Sequence, residues 1–278
     1  MEISPVAFYR GPLPQKFGLP RQAGLAEALE GRIVLEPAFR KPEALRGLDG
    51  FDYLWLVWEF NLNRDSSDDS AGHPLDDGHS RPDGHSLVDG PSLLSDQPLG
   101  DGHSRPDGQP RFDSHPRADR GPSLTVRPPR LGGNERVGVF ASRSPFRPNR
   151  LGLSSVRIAG IDFEKCEITV LGADLADCTP IYDIKPYVAY SDSHPDARSG
   201  FAGQREWRRL EVRAVSPDIE QALATAFAPQ QLRALFEVLS EDPRPAFHND
   251  PSKEYGLSFA GHNIRFRVDN DLLLIVSL

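Results

Sequence analysis

Residues 137–156 read VGVFASRSPFRPNRLGLSSV, with three arginines, two prolines and an asparagine packed between two apolar runs. Each proline fixes φ and removes a backbone donor, and the residue before it is pushed to extended geometry. The centre of the stretch is therefore a stiff, non-helical loop. The flanking runs, VGVFAS (137–142) and LSSVRIAG (153–160), are short and β-branched, the signature of strands. A rigid cationic loop hung between two strands argues for a β architecture with its chemistry carried on loops.

Outward from this loop, residues 127–157 contain seven Arg against one acid, Glu135, a net of +6. Gly132, Gly133 and Gly138 would let backbone approach a ligand closely. Arg143 and Arg147 would be pre-placed, and guanidinium groups match phosphate or carboxylate oxygens bidentately. A solvated basic loop paired with acids elsewhere is the competing reading.

YLWLVWEF (53–60) is predicted as a strand buried on both faces. VAFYR (6–10), RIVLE (32–36), CEITVLGA (166–173) and PIYDIKPYV (180–188) add further strands between turn residues. The expectation is a mainly β fold with a barrel-like domain over 1–198. A small α+β domain is expected over 199–278. Its parts are a strand in EWRRLEVRAV (206–215), a helix in SPDIEQALATAF (216–227) capped by Ser216, and an amphipathic helix in PQQLRALFEVLSED (229–242). YGLSFAG, NIRFRV and LLLIVS close it as a three-strand meander.

Residues 62–123 stand apart as a long insertion. Within 64–121 there are twelve Asp and six Arg, a net of −6, with one aromatic (Phe112) and no Ile. DGHSRPDG occurs at 77–84 and again at 101–108. A repeat with so little to bury is expected to be disordered. The whole-chain charge of −8 therefore conceals a basic core region, and charge distribution is what a polyanion meets. Five of the eight histidines (73, 79, 85, 103, 115) lie in this insertion, spaced too loosely for a specific metal site.

Several classes lack support. No GxGxxG or GxxxxGK[ST] points to a dinucleotide or P-loop site, no GxSxG to a hydrolase, and no Cys/His spacing to zinc. No run approaches the ~20 apolar residues of a membrane span, and the N-terminus does not read as a signal peptide. Cys166 and Cys178 form no disulfide framework. A cytoplasmic protein with reduced thiols, no metal, no membrane and no DNA partner is expected.

A second unusual stretch is DLADCTPIYDIKPYVAYSDS (174–193). In an extended PIYDIKPY, Asp183, Lys185 and Tyr187 share one face, and Tyr182 and Ile184 the other. A same-face Asp and Lys is usually a surface ion pair of small worth; beside a rigid arginine loop it could position a substrate. Asp177 and Thr179 fall in the preceding turn, and KFGLPRQAG (16–24) is a third loop with an exposed Arg–Gln pair.

KFGLPRQAGL, FDYLWLVWEF, TVRPPRLGGNERVGVFASRSPFRPNRLGLSSV, DLADCTPIYDIKPYV and EDPRPAF, in this order, resemble the TsaA-like family. That family contains S-adenosylmethionine-dependent tRNA (adenine-N6)-methyltransferases acting on threonylcarbamoyl-adenosine beside the anticodon. The resemblance spans nearly all of 1–61 and 123–278, and the insertion has no counterpart. It implies a β-barrel rather than a Rossmann sheet, a homodimer, S-adenosylmethionine as methyl donor and a tRNA anticodon stem-loop as partner. Carried over by motif, the donor is expected at Pro20, Arg21 and Gln22, Asn61 and Leu62, Arg143 and Leu153, and Asp177, Cys178, Thr179 and Pro180. The family often has His–Gln at 61–62 and DGTP at 177–180, so Asn61–Leu62 and Cys178 are departures. Asp183 is the expected proton acceptor, with Lys185 offsetting charge and Tyr187 beside them. Arg130, Arg147 and Arg150 are expected to meet phosphates, and Tyr187, Tyr190 or Trp207 to stack on splayed bases. A non-catalytic RNA-binding or regulatory relative of the same fold is the alternative, and rests on those two departures.

Overall fold

In a computed structural model, residues 2–63, 124–128, 135–203, 208–245, 248 and 250–278 are described. The insertion beyond residue 63, Arg130 and Trp207 lie outside them.

Nearly all the apolar runs of the first half become strands, because their alternate residues can share one dry interior. β1 (Ala7–Arg10), β2 (Glu30–Leu35) and β3 (Tyr53–Glu59) come first. A one-turn helix α1 (Pro42–Leu45) lies between β2 and β3. β4 (Thr125–Val126) and β5 (Val137–Gly138) form a small ribbon. β6 (Leu151–Asp162), β7 (Glu167–Leu171) and β8 (Pro180–Pro186) follow. The six longer strands close into an antiparallel barrel in the order β1-β2-β7-β6-β3-β8. Closure leaves no free edge in this sheet.

Leu54, Leu56 and Trp58 of β3 meet Ile33, Val156, Ile168 and Ile181 inside the barrel. The expectation that β3 is buried on both faces is corrected here. Tyr53 is exposed and Trp55 and Val57 are half-buried on the outer side. The strand pairs with β6 and β8, and its outer face is covered only in part, by Tyr187 and by Asp192, which accepts from the Trp55 indole. VGVFAS is also corrected: its strand is two residues long, and Val139–Ala141 turns as a 3-10 helix.

Tyr9 is fully buried on the inner face. Its ring occupies the space of two missing side chains. A Cβ on Gly31 would stand 2.2 Å from the Tyr9 hydroxyl oxygen, and one on Gly11 2.5 Å from the ring. Those glycines exist because the tyrosine does.

After the four-residue helix α2 (Ala189–Asp192) comes β9 (Glu211–Ala214), then helices α3 (Pro217–Ala226) and α4 (Pro229–Ser240). Ser216 caps α3 through a 3.4 Å bond from the Ile219 amide, as its sequence predicts. β10 (Tyr255–Phe259), β11 (His262–Asp269) and β12 (Leu272–Ser277) form the meander, and β9 joins it in parallel beside β12. Leu235 and Leu239 of α4 and Phe266 of β11 are fully buried in this core. Leu13, Ala26 and Leu29, from the long connection between β1 and β2, are buried in the same cluster.

Candidate functional site

Two loops meet at one corner of the barrel. The arginine loop, residues 139–150, keeps its shape through serine hydroxyls where prolines supply no donors. Ser142 Oγ donates to Val139 O at 2.9 Å and accepts from the Ser144 amide at 3.3 Å. Ser144 Oγ accepts from the Phe146 amide at 3.2 Å. From this framework Arg143 donates a guanidinium hydrogen bond to Gln22 Oε1 in the first loop. Gln22 in turn donates to Arg21 O at 2.6 Å. The Lys16 ammonium sits 5.6 Å from the Phe146 ring centre, a second tie between the loops. Burial holds Lys16 below the ordinary lysine range.

The turn before β8 supplies a carboxylate at the barrel mouth. Asp177 Oδ1 accepts from the Gly11 amide at 3.1 Å, and Arg10 stands 4.0 Å from Oδ2. Arg10 also donates to Cys178 Sγ at 2.6 Å, and the thiol donates to Asp177 Oδ2 at 3.2 Å. Burial, then the neighbouring Asp177, push the Cys178 thiol up. Cys178 has φ 62°, the left-handed region that glycine fills without strain. The cysteine-for-glycine departure therefore falls at a position whose backbone suits glycine, and the Arg10–Cys178–Asp177 contacts hold the cysteine there. Thr179 Oγ1 reaches Asn61 Oδ1 at 3.4 Å, which links the turn to the end of β3.

Beneath the corner a polar chain runs from the buried Trp58 and Ser154 to the half-buried Asp174. Trp58 Nε1 donates to Ser154 Oγ at 2.9 Å, and Ser154 Oγ donates to Asp174 Oδ1 at 2.5 Å. Burial pushes the Asp174 carboxyl up, while the Ser154 bond and the Arg143 charge pull it down. Burial, then Asp174 and Asp177, push the Tyr9 hydroxyl up. That hydroxyl is buried without a hydrogen-bond partner.

The outer face of the barrel is different in kind. On β8, Val57 of β3 faces Asp183 while Trp58 faces Ile181, so Tyr182 is an extra, bulged residue. The bulge resets the alternation. Ile181 and Ile184 both reach the core, Asp183 and Lys185 both point out, and Tyr182 donates to Glu59 Oε2 at 2.7 Å. Lys185 Nζ lies 3.8 Å from Asp183 Oδ2, with both side chains more than half exposed. Asp183 Oδ1 also accepts from the Ile184 amide at 3.0 Å. Tyr187 packs 5.7 Å from Trp55 and 6.1 Å from Tyr53, centre to centre. The Trp55 indole and the Val188 amide both donate to Asp192, at 2.9 Å each, and hold its carboxyl below the usual range. Those bonds pin α2, which presents Tyr190 at 94% exposure.

Val57 connects the two groups. It pairs with Asp183 on one side and with Leu153 on the other. Paired residues share a face, so Leu153 and Asp183 stand two strand spacings apart, about 10 Å, across the same surface. Leu153 is 58% exposed, and β6 begins directly after the arginine loop.

The expected residues thus fall into sets. Gln22, Arg21 and Arg143 form one and Asp177 and Cys178 a second; Thr179 and Asn61 touch one another. Asp183, Lys185, Tyr187 and Leu153 share the outer face. Pro20, Thr179 and Pro180 are buried and shape the loops, whereas Leu62 is exposed. Arg147 turns back to Ser142 O at 3.1 Å, and the Arg150 carbonyl accepts from the Phe60 amide at 2.9 Å. Both steady the loop. Asp174, Glu59 and Arg10 were not singled out from the sequence. Glu59 had a visible signal, as the one charge in an apolar run, but Asp174 and Arg10 become site residues only when the strands close.

Comparison with known proteins defines the class. Residues 8–81 and 111–193 match the tRNA-methyltransferase O N-terminal domain, and residues 208–278 match the TrmO C-terminal domain. The chain belongs to the tRNA-methyltransferase O family. It is 31% identical to the Escherichia coli tRNA (adenine(37)-N6)-methyltransferase, across 96% of this chain and 93% of that protein. A Pseudomonas aeruginosa protein, provisionally described as an S-adenosylmethionine-dependent methyltransferase, is 32% identical across 92% of this chain and 87% of its own length. The crystal structure of TrmO from Pseudomonas aeruginosa superposes with a TM-score of 0.65 at 23% identity, covering all of this chain and 97% of that one, and shares the fold.

Proposed function

We propose that the chain is a tRNA (adenine(37)-N6)-methyltransferase that takes its methyl group from S-adenosylmethionine. A relative bearing that activity in its name matches along 96% of this chain. The observation that carries the proposal is the meeting of the Arg143 and Gln22 loops beside the half-buried Asp174, where the arginine loop leads into β6, whose Leu153 stands about 10 Å of sheet from Asp183.

The donor set fits a zwitterionic ligand. Arg143 and the Gln22 amide match a carboxylate, and Asp177 matches an ammonium or a hydroxyl. Arg21, Gln22, Arg143 and Asp177 would hold the donor, with Leu153 as an apolar wall. When bound, the donor supplies an activated methyl carbon, so the protein's task is chiefly alignment.

On the outer face, Asp183 accepts the proton that N6 loses as the new nitrogen–carbon bond forms and the carbon–sulfur bond breaks. Lys185 balances the developing charge. The finer reading has the acceptor as threonylcarbamoyl-adenosine in the anticodon loop, whose urea-like N–H is more acidic than that of plain adenine. Tyr187 and Tyr190 offer faces for stacking. A homodimer belongs to the same reading. Phe140, Phe146, Leu153 and Leu124 are each more than half exposed around the arginine loop, the kind of apolar surface that a partner covers. Arg130 would add a phosphate contact, and the setting is cytoplasmic.

Nucleoside mass analysis of tRNA incubated with protein and donor tests this. The threonylcarbamoyl nucleoside should gain one methyl group. Transfer only to unmodified adenosine would overturn the substrate, and no transfer by folded protein would favour the RNA-binding alternative suggested by Asn61–Leu62 and Cys178.

A further inference from the structure

The first loop runs from Gly11 to Leu29, and its charged tip at 20–22 is the part that meets Arg143. A connection of this length has no reason to hold a fixed shape by itself. Its two feet are tied to the C-terminal part of the chain. At the start, the Ala260 amide donates to Pro12 O at 2.8 Å. In the middle, the Phe17 ring stacks 6.3 Å from Phe266 and 6.5 Å from Tyr255. Gly18, at φ 87°, lies against Leu257, where an added Cβ would stand 2.2 Å from Cδ1. At the end, α4 grips one residue, Ala28, by both its amide and its carbonyl. The Ala28 amide donates to Glu237 Oε2 at 2.6 Å, and Gln230 Nε2 donates to Ala28 O at 3.0 Å. Arg209 also donates to Leu25 O at 2.7 Å. The barrel holds the two ends of the loop as well: the Gly24 amide donates to Gly172 O, the Gly172 amide to Leu29 O and the Asp177 amide to Leu13 O, each at 2.8 Å, and the Gly11 amide to Asp177 Oδ1 at 3.1 Å.

We infer that the C-terminal α+β part is a second positioning device of the donor site beside the barrel, with Glu237 and Gln230 as positioning residues that act through the first loop. Neither touches the arginine loop. Glu237 has its other oxygen on Arg233 at 2.9 Å, in an ion pair whose arginine is mostly exposed and adds little to its hold on the Ala28 amide. The inference rests on the proposed donor site at Gln22 and Arg143.

Titration of the full-length chain with S-adenosylmethionine, and separately with tRNA, separates the two claims. Glu237→Ala and Gln230→Ala should each weaken donor binding about three- to tenfold, the range for losing one oriented hydrogen bond. Donor KM should rise with kcat at saturating donor unchanged, tRNA affinity should not move, and Glu237→Gln should recover part of the loss. Arg233→Ala, which keeps the Ala28 contact, should bind the donor within about twofold of wild type. If Arg143→Ala weakens donor binding while the Glu237 and Gln230 variants do not, the positioning role is wrong. If Arg143→Ala also binds normally, the donor site itself is wrong. Should Glu237→Ala fail to fold, the Gln230→Ala result decides by the same criterion.

Discussion

The barrel carries its polar groups in two styles. At the loop corner nearly every charged group already has a partner: Arg143 with Gln22, Arg10 with Asp177 and Cys178, and Asp174 with Ser154. On the outer face Asp183 and Lys185 form only a long, exposed pair beside the half-buried rings of Trp55 and Tyr187. The corner is pre-organised, as suits a small ligand that must be held in one pose. The outer face is unfinished, as suits a surface completed by a large, flexible substrate. Glu59 and Tyr182 mark the boundary, where the β8 bulge turns the strand from the first style to the second.

The contrast can be broken most sharply at Asp183. Asp183→Asn should lower kcat about a hundredfold, the lower range for a general base, and leave S-adenosylmethionine affinity unchanged in the same preparation. Loss of donor affinity there would mean that the two regions are one.

Inside the barrel the expected effect is on stability. Gly31→Ala drives a methyl group into the Tyr9 ring, which has no room to retreat, and should cost about 1–3 kcal/mol in urea unfolding. A neutral result would show that the Tyr9 cradle is loose.

Asp174 sharpens the comparison through pH. Its folded carboxyl holds a proton to higher pH than the ordinary value of 3.8, so the folded state binds more protons than the unfolded one across that window. Stability from this group is therefore full below the ordinary value and falls as pH rises through the raised one. Asp174→Asn should flatten that decline, read as unfolding midpoints below and above the carboxylate range. An unchanged slope would show that Asp174 keeps its ordinary proton affinity in the folded chain.

The smallest effect is expected at Lys185. Lys185→Ala should depress turnover yet shift stability by less than about 0.5 kcal/mol, because an exposed pair adds little. Unchanged turnover would remove it from the chemistry.

Much of this was legible in the sequence, and the failures have physical causes. The strands around 53–60 and 153–160 and the stiff arginine loop follow from local composition, and the helices at 217–226 and 229–240 from caps and periodicity. Asp183 and Lys185 do share an exposed face, although that face is outward only because of the bulge at Tyr182, which pairing with β3 creates. The run YLWLVWEF reads as fully buried because aromatic rings serve equally well in a core and on a half-covered outer face. Asp174 and Arg10 were hidden for another reason: their roles depend on Ser154 and Cys178, which lie far away along the chain and come close only through barrel closure. The fixing of the first loop by α4 is equally non-local, with Ala28 and Glu237 separated by 209 residues.

The most direct measurement is transfer of labelled methyl groups from S-adenosylmethionine to tRNA drawn from cells that lack this activity, with wild type and Arg143→Ala side by side. Loss of one charge-assisted contact predicts strong labelling by wild type and at least about tenfold less by the variant at limiting donor. Equal labelling by both would contradict the donor corner, and no labelling by folded wild type would contradict the methyltransferase.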